Sequence, residues 1–267
     1  LTGEVDGYYR NYADRPVEHL GRVLAEGFAF QGEVYQTEGA ARGERSFALP
    51  PTAFVSFIQN HDQIGNRACG ERLARLAPPE KLRAGLAVLL LAPQIPMLFM
   101  GEEYGALQPF LYFCDYHGEL ARSIREGRRN EFASFGAFAD EQRREQIPDP
   151  NDEQTYRASQ LDQAERTRSP HREWLAYTQA LLEVRNERLA PLIPEIVPAA
   201  ARYTTDDCAL TVTWPLRDGR ALLMQANFGD PAKPVHRLGE ILYSTAGASM
   251  QDAALGPWEV RLSLGAS

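Results

Sequence analysis

From Phe54 to Ile58 the chain is apolar apart from Ser56, and then it turns polar without a transition. Gln59, Asn60, His61, Asp62, Gln63 and Asn66 place six hydrogen-bonding side chains in eight positions. The apolar run predicts a short β-strand over residues 53–58, buried on both faces as strands of parallel sheets are. The polar run predicts chemistry directly after it, where a buried strand of an α/β sheet surfaces at its carboxyl end. The pattern recurs. Ile95-Pro-Met-Leu-Phe-Met100 is apolar and runs into Gly101-Glu102-Glu103-Tyr104-Gly105. Between the two runs the spacing predicts a helix over 79–91, with Pro79 at its start, Pro93 past its end, and Leu82, Leu86, Leu89 and Leu90 on its inner face. Strand, loop, helix and strand make one βαβ unit, which in a shared sheet is nearly always right-handed.

The flanking segments read differently. Pro16 with Leu20, Val23 and Leu24 predicts an amphipathic helix over 16–27, and residues 31–51 lack any period and read as an exposed loop. Residues 105–168 are long and polar, with an aromatic knot at Phe110, Tyr112, Phe113 and Tyr116, as in a functional lid or an insertion with short helices. Ser169 as N-cap and Pro170 at the first helical position open a helix to about Arg188, lined by Trp174, Tyr177, Thr178, Leu181 and Val184. Pro191, Pro194 and Pro198 interrupt the pattern. Beyond them Leu210–Trp214, Ala221–Phe228, Ile241–Ser244 and Trp258–Leu264 read as short strands, and Asp218-Gly219 as a hairpin turn. A boundary near residue 190, followed by a small antiparallel β-domain, is expected.

Composition narrows the function classes. With 44% apolar and 24% charged residues in 267, the chain is globular rather than disordered. A net charge of −8 argues against nucleic acid as a partner. Arg122, Arg125, Arg128 and Arg129 are clustered, but Glu119, Glu126 and Glu131 interleave with them, so a solvated, ion-paired surface is expected. Cys69, Cys114 and Cys208 are far apart and form no CxxC, which favours a reducing, cytoplasmic setting over a disulfide framework or a zinc site. The longest apolar run, Leu86–Ala92, is too short to span a bilayer, so no membrane partner is expected. The opening Leu1-Thr-Gly reads like the middle of a longer polypeptide.

Phe57-Ile-Gln-Asn-His-Asp-Gln-Ile-Gly-Asn-Arg67 resembles the fourth signature region of the α-amylase-family glycoside hydrolases, and Met97-Leu-Phe-Met-Gly-Glu-Glu-Tyr-Gly105 is similar to their eighth barrel strand. More narrowly, three stretches resemble the maltooligosyltrehalose trehalohydrolases within that family. They are Leu1-Thr-Gly-Glu-Val-Asp-Gly-Tyr-Tyr9; Phe57–Arg67 continuing to Gly70-Glu-Arg-Leu73; and Gln108-Pro-Phe-Leu-Tyr-Phe113 with His117-Gly-Glu-Leu120 and Arg125-Glu-Gly-Arg-Arg129. Ile147-Pro-Asp-Pro150 also fits. The likeness runs to about residue 190 and weakens beyond. It implies an α/β fold: the C-terminal part of a (β/α)8 TIM barrel over residues 1–190, with the insertion at 105–168, then a C-terminal β-domain over 191–267. A whole barrel takes roughly 250 residues, and only two barrel strands are legible here. The family's nucleophilic Asp and general-acid Glu lie on earlier strands, and this sequence contains neither motif.

The implied activity is hydrolysis of the α-1,4-glucosidic bond next to the terminal trehalose of maltooligosyl trehalose, with retention and without metal or organic cofactor. Maltooligosyl trehalose, maltooligosaccharides and trehalose are the expected ligands, and the N-terminal part of the same enzyme the expected protein partner. Alternatives are another α-glucan enzyme of the family, such as a branching enzyme or an α-amylase, or a non-catalytic glucan-binding piece. Glycoside hydrolysis passes through an oxocarbenium-like state, whose positive charge a third carboxylate can stabilise. The resemblance gives Asp62 that role and gives His61 a hydrogen bond to a hydroxyl of the same sugar. Gln63, Asn66 and Arg67 carry groups suited to sugar hydroxyls. Glu102 and Glu103, as neighbours on a strand, would point to opposite faces; one of them is expected to orient loops against an Arg, and Glu102 is kept as a substrate contact. Tyr104, Phe110 and Phe113 are candidates for stacking on glucose rings.

Overall fold

The computed structural model describes residues 1–5, 7–35, 39–134, 140–234, 239–247 and 254–266. Asp6 of the opening stretch and residues 135–139 of the expected insertion lie outside them. In chain order the first half carries helix α1 (Pro16–Glu26), strands β1 (Glu33–Tyr35), β2 (Ala40–Arg42) and β3 (Val55–Ser56), helices α2 (His61–Gly65), α3 (Leu73–Leu76) and α4 (Pro79–Leu91), and strand β4 (Ile95–Pro96). Helices α5 (Gly118–Glu131), α6 (Glu141–Glu145), α7 (Glu153–Ala158) and α8 (His171–Val184) follow. The last third carries strands β5 (Arg202–Asp206), β6 (Ala209–Pro215), β7 (Arg220–Asn227), β8 (Lys233–Pro234), β9 (Glu240–Ser244), β10 (Ala254–Leu255) and β11 (Val260–Ala266). The chain forms two units: Leu1–Ile58 with Pro79–Met97 and Thr178–Ser267, and Gln59–Pro78 with Leu98–Tyr177.

The first unit is built on a five-stranded antiparallel sheet in the order β5-β6-β7-β11-β9. In β6 alternate residues point inward, and Leu210, Val212 and Trp214 are buried. Strand β7, at the centre, is buried from Ala221 to Asn227 on both faces. Asp218-Gly219 turns β6 into β7 as expected, with Gly219 at φ +84°. Strand β5 was not legible because Arg202-Tyr-Thr-Thr-Asp206 has no buried face. Helix α1 lies on this sheet where Gly21 leaves room for Tyr203 and Leu210. Its end is set by Gly27 at φ +102°, whose N–H returns to the Val23 carbonyl.

Several expectations are corrected here. Residues 31–51 are not all loop, since β1 and β2 pair as an antiparallel hairpin. Helix α4 has the predicted bounds but no polar face beyond its first turn: residues 84–91 are buried all round. The Arg185 guanidinium donates to the carbonyls of Leu90, Ala92 and Gln94 at 2.9, 2.6 and 2.7 Å, and so closes the carboxyl end of α4. Helix α8 starts at His171, because Ser169 and Pro170 form a turn before it rather than its cap and first residue. The βαβ reading holds: β3 and β4 are parallel and joined by Ile95 N–H to Phe54 O at 3.0 Å and Met97 N–H to Ser56 O at 2.8 Å. The expected burial does not. Val55 is 57% exposed and Ile95 46%.

The second unit buries Ile64, Ala106 and Leu111 among its apolar side chains. One small cluster joins Ala68, Phe132 and Ile147, with Cys69 against it. A second contact set is aromatic: Phe110 meets Phe99 and Phe113 edge to face, and Phe113 meets Tyr156. The expected knot is thus partly formed, while Tyr116 stays exposed. Polar links add to these contacts. Buried Arg72 donates to the carbonyls of Gln108 at 2.6 Å and Met100 at 2.8 Å. The Trp174 indole donates to the Glu102 carbonyl at 3.0 Å, and His171 Nδ1 lies 3.0 Å from the Tyr104 carbonyl.

Candidate active site

Helix α2 begins where Asn60, with extended backbone at φ −145°, accepts the Gln63 N–H on its side-chain oxygen at 3.0 Å. That cap starts the helix and puts His61 and Asp62 in its first turn. Ile64 and Gly65 are buried and anchor the helix, while Asn66 N–H returns to the Asp62 carbonyl at 2.8 Å. The side chains of His61 and Asp62 are 66% and 70% exposed, with His61 Nε2 3.4 Å from Asp62 Oδ1. Asp62 is therefore not spent on its own turn, because Asn60 is the cap. Its carboxylate is open to accept hydrogen bonds from two hydroxyls of one sugar or to face a developing positive charge.

The other candidates divide. Gln63 and Asn66 are exposed beside Asp62 on α2 and its cap. Arg67 is half-buried, with Nε 3.5 Å from Glu71 Oε2. Phe113 is exposed, and Phe110 is half-buried against Phe99. Glu102 and Tyr104 lie inside. They sit on one turn of 3-10 helix, not on a strand, so the opposite-faces argument for Glu102 and Glu103 does not apply. Tyr104 shows no ring face to solvent and meets the His171 ring edge-on. Glu102 is buried, and its Oε2 accepts the Phe99 N–H at 2.9 Å. Burial pushes its pKa up to about 7, against the lowering effects of the Phe99 amide, Gln59 and Arg72. Arg72 is the arginine whose charge acts on Glu102, but its guanidinium bonds the Gln108 and Met100 carbonyls rather than that carboxylate, and burial lowers its own pKa.

Sequence reasoning missed Arg128. Read as one of a solvated cluster, it is buried instead, and Nη2 donates to the carbonyls of Gly65 at 2.6 Å and Arg67 at 2.8 Å. Arg125 keeps the expected character, pairing with Asp149 at 3.1 Å. Composition could not separate the two arginines. A helical projection of α5 places them on one side of the helix, but nothing in the sequence names the carbonyls Arg128 meets. Among the described residues no group of three or more His, Cys, Asp or Glu side chains is placed to hold a metal ion. No helix among them is long and apolar enough to cross a membrane.

Residues 198–262 match a family described as a domain of unknown function, DUF3459. A malto-oligosyltrehalose trehalohydrolase of Deinococcus radiodurans is 40% identical over 189 residues, covering 70% of this chain and 31% of that protein. One of Rhizobium sp. strain M-11 is 34% identical over 245 residues, 91% of this chain and 39% of that protein. The chain is a relative of the malto-oligosyltrehalose trehalohydrolases. It spans between 31% and 39% of the length of these two trehalohydrolases. A crystal structure from Salmonella typhimurium, provisionally assigned as an alpha amylase, superposes with a TM-score of 0.91 at 40% identity, over 99% of this chain and 44% of that one.

Proposed function

We propose that the chain is the C-terminal portion of an α-amylase-family glycoside hydrolase that releases trehalose from maltooligosyl trehalose, with Asp62 as the carboxylate that stabilises the oxocarbenium-like transition state. The observation that carries this is the exposed Asp62 carboxylate, with His61 beside it, on a capped turn inside the stretch that resembles the family's signature region. A nucleophile and a general acid from elsewhere in the enzyme complete the chemistry. The paired β3 and β4 support the barrel. Each presents an exposed apolar side chain, Val55 and Ile95, that further parallel strands and their helices would cover. In this reading residues 1–190 end the barrel, 105–168 are its insertion, and 191–267 are the C-terminal β-domain. His61, Gln63 and Asn66 contact sugar hydroxyls, Phe113 offers a stacking face, and Glu102, Tyr104 and Arg67 support the loops from inside.

The similarity to the Salmonella typhimurium structure favours one alternative, an α-glucan hydrolase that cleaves bonds within the glucan and releases no trehalose. The complete enzyme, given maltooligosyl trehalose, separates the two by its product. Free trehalose released together with one new reducing end per bond cleaved, on the maltooligosaccharide, supports the proposal; reducing ends without trehalose refute it. Asp62→Asn is expected to lower kcat by about 10²-fold or more while leaving binding in place, as loss of an electrostatic stabiliser does. Near-normal turnover of that variant would remove Asp62 from the mechanism. Isothermal titration of this chain alone with maltooligosaccharide tests the non-catalytic reading.

A further inference from the structure

Helix α2 has five residues and so cannot hold its own direction. Two of its backbone bonds are Ile64 N–H to Asn60 O at 3.1 Å and Asn66 N–H to Asp62 O at 2.8 Å. Its first turn is fixed by Asn60. Its last turn ends on the Gly65 carbonyl, and both this carbonyl and that of Arg67 accept from one guanidinium nitrogen, Arg128 Nη2. Arg128 is itself held. Its side chain is 7% exposed, Nη1 donates to Glu131 Oε2 at 3.0 Å, and its guanidinium carbon lies 4.7 Å from the Phe132 ring centre and 5.4 Å from that of Tyr112. A fixed charge between two carbonyls at the carboxyl end of a helix satisfies acceptors the helix leaves open and sits at the favourable end of its dipole. Asp62 lies one helical turn from Gly65, so any rotation of α2 about its far end swings the Asp62 carboxylate.

We infer that Arg128 is a positioning residue for Asp62, aiming its carboxylate by locking the carboxyl end of α2. This rests on the function proposed above for Asp62. Arginine is required because Nη2, which reaches both carbonyls, is held in one plane with Nη1, which binds Glu131, and a lysine ammonium cannot reproduce that fork. Arg128 touches no substrate in this scheme and transfers no proton.

The test is a double-mutant cycle in the complete hydrolase, with Arg128→Lys, Arg128→Ala and Asp62→Asn made singly and combined, and kcat, KM and Tm measured for each. Arg128→Lys is expected to lower kcat by about 10²-fold with KM within about twofold, since a misplaced reacting group costs turnover rather than binding. In the Asp62→Asn background the same change is expected to lower kcat by less than about twofold, because the group being aimed is gone. Equal losses in both backgrounds, or normal kcat in Arg128→Lys, would overturn the inference while leaving the role of Asp62 intact. Normal kcat in Asp62→Asn would instead show that the reading of Asp62 is at fault. If Arg128→Ala does not fold, Arg128→Lys carries the cycle. An unfolded Arg128→Lys also counts against the inference, because it makes the residue part of the core only.

Discussion

Glu102 accepts the Phe99 N–H at 2.9 Å from a position where only 5% of the residue is exposed. Burial is the largest influence on this carboxyl and raises its pKa from 4.5 to about 7. The sign of the pH effect follows. Below 4.5 the group is protonated in both folded and unfolded chains, and its full contribution to stability is present. As pH rises towards 7 the unfolded chain gives up its proton first, so stability falls, and it levels off above the folded pKa. The fall is at most roughly 3 kcal/mol. Urea melts at about pH 5 and pH 8 are expected to show it in the natural chain, and Glu102→Gln to show less of it, since an amide does not titrate. Equal pH dependence in the two proteins would remove Glu102 as the source.

Arg185 illustrates a second kind of buried charge, bound to carbonyls and not to a carboxylate. Its three bonds to Leu90, Ala92 and Gln94 close α4, a helix buried nearly all round beyond its first turn. Arg185→Ala would leave those acceptors facing apolar surroundings. The expected loss is about 3 kcal/mol, at the scale of a few unsatisfied buried groups. Arg185→Lys should recover part of it. Denaturant midpoints of the three proteins measure both effects, and an alanine variant as stable as the natural chain would contradict the assignment.

Trp214 joins the sheet to α1 by two effects that substitution can separate. Its indole is fully buried in β6, and its N–H donates to the Leu24 carbonyl at 3.2 Å. Trp214→Phe removes the donor and part of the bulk, and is expected to cost about 1–2 kcal/mol. Trp214→Ala adds a cavity and is expected to cost about 3–5 kcal/mol. Thermal melts in which the phenylalanine variant loses as much as the alanine variant would show that the hydrogen bond, not the packing, dominates.

What the sequence disclosed follows from which interactions are local. The starts of α1 and α4 were legible because Pro16 and Pro79 act within a few residues of themselves, whereas Gly27, read as part of the first helix, is its cap. Strands β6 and β7 were legible from apolar runs and the Asp218-Gly219 turn, whereas β5 has no buried face to leave a pattern. At the candidate site the exposed polar run was visible as a composition step, so His61, Asp62, Gln63 and Asn66 could be singled out. The inward turn of Tyr104 and Glu102 was not, since it depends on left-handed Gly101 and Gly105 making a tight helical turn where a strand was expected. Arg128 and Arg72 were hidden for a further reason. Each binds backbone carbonyls of residues at least 28 positions away, and a carbonyl carries no sequence signature.

Val55 and Ile95 allow the proposed barrel to be tested without any assay of activity. They are register partners on adjacent parallel strands, and in this chain both are largely open to solvent. An exposed position tolerates a polar residue, so Val55→Ser in this chain alone is expected to change stability by less than about 0.5 kcal/mol. If further strands and helices cover β3 in the complete enzyme, the same change there removes buried apolar surface and places a hydroxyl among apolar groups. The cost should then be about 2 kcal/mol or more. Ile95→Ser should behave in the same way. The comparison needs only denaturant melts of the chain and of the complete protein, each with and without the substitution. A serine tolerated equally in both would mean that this face stays open, and the barrel reading would fail with it.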